Sequence, residues 1–131
     1  GIIGLGNVGS EVARRATGLE MRLIAYDPFV SIEYASNLGV ELVSMKELLK
    51  QSDFITIHTP LTGTTRGLIG AKELATVKPT VRIINCARGG IIDEEALFKA
   101  VEEGRVAGAA IDVFVEEPAK DSILFKSDKI L

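Results

Sequence analysis

The chain opens on Gly1-Ile2-Ile3-Gly4-Leu5-Gly6-Asn7-Val8-Gly9, an apolar stub that runs straight into three glycines spaced Gly-x-Gly-x-x-Gly. Val12, Ala13, Ala16 and Leu19 follow at helical spacing, with Glu11, Arg14 and Arg15 between them. An apolar run over 21–26 then ends on Asp27. Strand, glycine turn, helix, strand and acid, in that order, is the pattern of a dinucleotide-binding unit. Each glycine has a physical task. Gly4 allows the tight turn, Gly6 lets a pyrophosphate approach the backbone, and Gly9 lets the helix lie close to the strand. Main-chain N–H groups at the helix start, aided by the helix dipole, meet the phosphates. Asp27 follows Gly9 by 18 positions, close to the roughly 20 typical of the ribose-binding acid. A carboxylate there accepts from both ribose hydroxyls and repels a 2′-phosphate. Its neighbours Pro28 and Phe29 offer no cation. The expected cofactor is NAD rather than NADP.

The rest of the chain continues the alternation. Strands are expected near 2–5, 23–26, 54–58, 82–85, 108–112 and 130–131, with a weaker one at 40–42. Helices are expected near 8–18, 32–38, 45–51, 71–76 and 94–103. The caps are legible: Ser31 before the second helix, a Ser44-x-x-Glu47 capping box before the third, Asp93 before the last and Gly104 after it. Pro79 is expected to stop the fourth. Strands alternating with helices imply an α/β domain with a doubly wound parallel sheet. At 131 residues and 47% hydrophobic, residues 1–131 form one domain with ample core. A net charge of −3 gives no footprint for nucleic acid or an anionic membrane. No apolar run approaches the roughly 18 residues of a membrane span. One cysteine excludes an internal disulfide and suits a reducing compartment, so a cytoplasmic location is expected. One histidine, one cysteine and scattered acids give no metal-ligand spacing, so no metal is expected. The ends, with no initiator Met and a strand beginning at the last residues, read as a piece of a longer protein.

In such sheets ligands lie outside the carboxyl ends of the strands. Reactive residues should therefore follow strands, and here they do. Arg88 sits in Asn85-Cys86-Ala87-Arg88-Gly89-Gly90, where small neighbours let a ligand come close. Its planar fork suits a carboxylate, against the plainer fate of a solvated loop arginine. Glu117, after the fifth long strand, is placed to orient a catalytic imidazole. Spacing alone does not choose between it and Glu116, or exclude a plain acidic loop. His58 is the only imidazole and ends a strand, yet a packed, hydrogen-bonded histidine leading into Thr59-Pro60 is the favoured reading. Cys86 reads as a small lining residue near the cofactor. Asp112 faces either the nicotinamide side or its own loop.

Taken together, these blocks resemble the D-isomer-specific 2-hydroxyacid dehydrogenases. The matching text is Gly4–Gly9 with Tyr26-Asp27-Pro28, then Asp53-Phe-Ile-Thr-Ile-His-Thr-Pro-Leu61 and Thr65-Arg-Gly-Leu-Ile69. Asn85-Cys-Ala-Arg-Gly-Gly-Ile-Ile-Asp93, Gly108-Ala-Ala-Ile-Asp-Val-Phe114 and Glu117-Pro118 complete it. The resemblance covers nearly the whole chain. It implies a Rossmann-like domain set within a substrate domain, with catalysis in the cleft between them. It implies catalytic roles for Arg88, on the substrate carboxylate, and for Glu117, paired with a catalytic histidine. Asn7 and Val8 match pyrophosphate contacts and Asp27 the adenosine ribose. Thr59, Pro60, Cys86, Ala87, Arg88 and Asp112 match further cofactor contacts. The substrate is a small 2-hydroxy acid, and the blocks are most similar to the branch that oxidises 3-phospho-D-glycerate. A homodimer through the nucleotide domain is implied as well. The family histidine lies just beyond the strand begun at Ile130-Leu131, so His58 is not that base and this stretch alone is expected to be nearly inactive.

Other readings share parts of this pattern. Within the family the parent could act on glyoxylate, hydroxypyruvate or lactate. Some relatives are NADH-sensing corepressors. A methyltransferase using S-adenosylmethionine also places an acid after its second strand, but gives no reason for Arg88 or Glu117.

Overall fold

The computed structural model describes all 131 residues, Gly1 to Leu131. Six strands, β1 (Ile2–Ile3), β2 (Ile24–Tyr26), β3 (Glu41–Leu42), β4 (Phe54–Ile57), β5 (Arg82–Asn85) and β6 (Gly108–Ile111), form one sheet. Five helices, α1 (Asn7–Gly18), α2 (Ile32–Asn37), α3 (Met45–Gln51), α4 (Ala71–Leu74) and α5 (Glu94–Glu102), connect them. The order across the sheet is β3-β2-β1-β4-β5-β6, and every pairing is parallel. This is the doubly wound arrangement expected, with its reversal between β1 and β4.

The alternation of side chains along each strand divides the core. Ile2 and Ala25 point to one face, where they pack with Leu5, Ala13, Ala35 and Val40 beneath α1 and α2. Ile3, Ile24 and Ile57 point to the other, where they join Leu48, Leu74, Leu97 and Val101 of α3 to α5. The second cluster holds 19 buried residues against 7 in the first, so the α3–α5 face carries most of the hydrophobic stabilisation. Side chains buried on both faces suit a central parallel sheet of β-branched and small residues.

Local signals placed the element ends well. Ser31 Oγ accepts the N–H of Tyr34, Ser44 and Glu47 form the capping box, and Asp93 Oδ1 accepts the N–H of Ala96 at 3.0 Å. Gly104 ends α5 with φ +72°. The weaker strand at 40–42 is real and forms the sheet edge as β3. Residues 130–131 do join the sheet, pairing beside β6 through Leu131 N–H to Ala109 O at 2.9 Å. Two expectations need correction. The fourth helix, expected over 71–76, is a single turn ending at Leu74, well short of Pro79. Thr76 turns its hydroxyl back onto the carbonyl of Glu73 at 2.8 Å, competing with the helical ladder. Residues 123–126, unassigned from sequence, form a short 3₁₀ helix capped by Ser122.

Candidate active site

Because all six strands run the same way, their carboxyl ends line one rim. Along it, in spatial order, stand Asp27 after β2, the glycine turn after β1, Thr59 and Pro60 after β4, Cys86 to Arg88 after β5, and Asp112 to Glu117 after β6. The sequence separations are large, and the crossovers remove them.

The turn between β1 and α1 is held from both sides. Gly4 has φ +90°, a region L side chains avoid, and a Cβ there would lie 2.8 Å from Thr59 Cγ2 and 2.9 Å from the His58 backbone. At Gly9 a Cβ would collide with the Gly4 carbonyl, which is the close helix–strand packing foreseen for it. Gly6 has open space where a side chain would be. The three glycines thus divide into two that pack and one that leaves room.

That room sits over an unusual helix start. The N-terminus of α1 has no side-chain cap and no acidic residue in its first turn. By contrast α2, α3 and α5 are capped by Ser31, Ser44 and Asp93. The N–H groups of Asn7, Val8 and Gly9 therefore have no acceptor within the helix, and no carboxylate of its first turn takes its place. Gly6, Asn7 and Val8 are exposed, while Gly9 is buried against the Gly4 carbonyl. Thr59, after β4, packs its methyl against Gly4, and its Oγ1 is enclosed with no hydrogen-bond partner. An anionic dinucleotide fits this donor set, with phosphate oxygens satisfying amides that the protein leaves free.

Asp27 does more than the sequence indicated. Its Oδ2 accepts the N–H of Leu5 at 2.7 Å and its Oδ1 the N–H of Phe29 at 2.8 Å. The acid therefore fastens the glycine turn to the end of β2. Each oxygen keeps lone-pair capacity for a sugar hydroxyl.

His58 is half-buried, with Nε2 2.9 Å from Thr56 Oγ1 and its backbone N–H on Ile3 O at 2.8 Å. Burial lowers its pKa below the ordinary value of 6.5. This is the packed, hydrogen-bonded histidine favoured from sequence.

The β5 loop is braced from beneath. Asn85, only 2% exposed, donates from Nδ2 to Arg88 O and accepts the N–H of Ala87 on Oδ1, both at 3.1 Å. Sequence reasoning quoted Asn85 but gave it no task. An asparagine ending an apolar strand two residues before a loop arginine is the signal, because asparagine at such a place bonds its own loop. Cys86 is an exposed free thiol, Ala87 is half-buried, and the Arg88 guanidinium projects from the rim with only Ala87 O as partner, at 2.6 Å.

Gly89 brings this loop against the next. A Cβ on it would overlap the Phe114 carbonyl and lie 2.7 Å from Val115 N. Arg88 and the Phe114–Glu117 turn are consequently neighbours. Within that turn it is Glu117 that accepts the N–H of Phe114, at 3.1 Å, which separates it from Glu116. Asp112 is exposed, and its N–H donates to Asn85 O at 3.0 Å. No group of three or more His, Cys, Asp or Glu side chains gathers in a metal-binding arrangement, and no helix is long and apolar enough to cross a membrane.

Comparison with known proteins places these features. The family model of the D-isomer specific 2-hydroxyacid dehydrogenase NAD-binding domain matches residues 1–131. D-3-phosphoglycerate dehydrogenase of Methanocaldococcus jannaschii is 49% identical over 132 residues, covering 100% of this chain and 25% of that protein. The Bacillus subtilis enzyme of the same name is 52% identical over 124 residues, covering 95% of this chain and 24% of that one. The chain therefore spans about a quarter of the length of the curated relatives it matches. Among solved structures, the NAD-complexed D-isomer specific 2-hydroxyacid dehydrogenase of Lactobacillus delbrueckii ssp. bulgaricus superposes with a TM-score of 0.87 at 31% identity, over 99% of this chain and 43% of that one. With a glycine turn built for a dinucleotide and a family match along its full length, the chain belongs to the D-isomer specific 2-hydroxyacid dehydrogenases, as their NAD-binding domain.

Proposed function

We propose that this domain serves an enzyme that oxidises 3-phospho-D-glycerate to 3-phosphohydroxypyruvate in serine synthesis. The single observation that carries the reading is identity near one half to D-3-phosphoglycerate dehydrogenases along the whole chain. The braced Asn85–Arg88 loop and the Glu117 turn pressed against it supply a chemistry that agrees with it.

When bound, NAD supplies the acceptor for the hydride leaving C2. The chain's own residues do the rest. Free amides at the start of α1 hold the diphosphate, with Gly6 leaving the approach open. Asp27 takes the adenosine ribose while keeping its grip on Leu5. Thr59, Pro60, Cys86, Ala87 and Asp112 line the rim along which the cofactor lies. The Arg88 fork binds the substrate carboxylate and polarises C2–O, so the hydroxyl proton is easier to remove. That proton passes to the family's catalytic histidine, whose imidazolium Glu117 orients and stabilises. The C2–H and O–H bonds break and a C=O bond forms. His58 takes no part, because its ring is committed to Thr56 and its charge is disfavoured.

The test is turnover by the full-length chain. With NAD, kcat/KM for 3-phospho-D-glycerate should exceed that for D-lactate and D-glycerate by about 10²-fold or more, since a site built around a polar group rejects analogues lacking it. Preference for either unphosphorylated acid would move the protein to another branch of the family. A cytoplasmic homodimer accompanies this reading, supported by the family resemblance. Sedimentation of the full chain at the mass of one subunit would remove the dimer.

A further inference from the structure

The first residue of α5, Glu94, holds the loop that carries Glu117 at two places. Its Oε1 accepts the N–H of Val115 at 2.8 Å, and its Oε2 accepts the hydroxyl of Ser122 at 3.3 Å. On the preceding residue, the N–H of Phe114 goes to Glu117 Oε1 at 3.1 Å. Consecutive amides of one loop are thus divided between two carboxylates, one on the helix and one on the loop. From the opposite side Gly89, next to Arg88, presses on the same Phe114–Val115 peptide. The peptide is clamped between the residue after Arg88 and the start of α5. Behind the clamp lies a hollow of about 540 Å³ walled by Glu94, Phe114, Glu117, Lys120 and Ser122.

An acid in a first helical turn is usually explained by the helix dipole and its free amides. That explanation does not cover Glu94. The cap of α5 is supplied by Asp93, which takes the N–H of Ala96. Glu94 spends both oxygens on partners 21 and 28 positions away. It is half-buried, whereas Glu95 beside it is exposed.

We propose that Glu94 is the positioning residue that sets Glu117 relative to Arg88. It rests on the functional reading of those two residues given above. By holding the Val115 amide and the Ser122 hydroxyl, Glu94 fixes the turn from which Glu117 meets its imidazole, while Gly89 fixes the same turn against the substrate-binding arginine.

The experiment uses the full-length chain with Glu94→Ala, Glu94→Gln and the neighbouring control Glu95→Ala. Glu94→Ala should lower kcat about tenfold or more, since small misplacements of reacting groups are costly. KM for NAD should stay within about twofold, because the glycine turn and Asp27 are untouched. The acid limb of the kcat–pH profile should move to lower pH, as a displaced Glu117 supports imidazolium less. Glu94→Gln should recover most of kcat, since its amide oxygen still accepts from Val115 and its amide N–H still reaches the Ser122 hydroxyl. Glu95→Ala should match the unmutated chain. Unchanged kcat and pH profile in Glu94→Ala would overturn the proposal, as would a loss of kcat and stability with no movement of the pH limb or no recovery in Glu94→Gln. Absence of 2-hydroxy acid turnover in the unmutated chain would instead overturn the functional reading itself.

Discussion

The carboxylate of Asp27 and the backbone N–H of Leu5 meet at 2.7 Å across 22 positions of sequence. The residue expected to read the ribose thus also pins the turn expected to hold the phosphates. Asp27→Asn can accept one of the two N–H groups but must turn its amide donor toward the other. Stability should fall by about 1–3 kcal/mol. NAD affinity should fall about tenfold or more, and the preference for NAD over NADP should shrink. Thermal unfolding with calorimetry for both cofactors checks this. An Asp27→Asn variant that binds NAD normally would remove the ribose role and leave only the pin.

Gly6 and Gly9 separate binding from folding. Nothing lies where a Gly6 side chain would go, and its φ of −74° is ordinary. Gly6→Ala should therefore melt within about 1 kcal/mol of the parent while losing NAD. Gly9→Ala drives a methyl into the Gly4 carbonyl and should cost about 1–3 kcal/mol through forced backbone movement. Paired melts and NAD titrations distinguish the two. Equal loss of stability in both variants would contradict the division.

Asn85 is 2% exposed and makes hydrogen bonds to both Ala87 and Arg88. Asn85→Ala removes both bonds from a buried position and leaves the half-buried Ala87 N–H and the Arg88 carbonyl without that partner, at a cost of about 1–3 kcal/mol. In the full-length enzyme KM for the 2-hydroxy acid should rise more than KM for NAD, because the Arg88 loop is what comes loose. Parallel changes in both constants would argue against that specific role.

His58 contributes a pH dependence of known sign. Burial holds its folded pKa below 6.5. Between that lower pKa and 6.5 the unfolded chain binds more protons than the folded one, so stability rises with pH. The contribution is complete above 6.5 and is lost as pH falls toward the folded pKa. Urea unfolding midpoints from about pH 5 to about pH 7.5 should climb in the parent and climb less in His58→Gln. Identical slopes would show that other groups set the dependence.

Much of the fold was legible because its determinants are close along the chain. Ser31, Ser44 and Asp93 announce helix starts through bonds to residues three positions away. The error over 71–76 has a local cause too. Thr76 is a residue whose hydroxyl can leave the helical pattern, and it takes the Glu73 carbonyl. The choice between Glu116 and Glu117 could not be made that way, because either spacing reaches a backbone amide and only the turn's conformation decides which one does.

The sequence by itself determined the alternation of strand and helix, the dinucleotide turn at Gly4–Gly9 and the group of chemical residues that follow strands. These rest on periodicity, capping and glycine geometry, all of which act within a few residues. Only the tertiary structure decided that Asp27 grips Leu5, that Asn85 braces the loop of Arg88, that Gly89 backs onto Phe114, and that Glu94 reaches Val115. Each of those relations joins strand ends or loops that parallel crossovers bring to one rim, and hydrogen bonds between them form only once the packed sheet has set their separation.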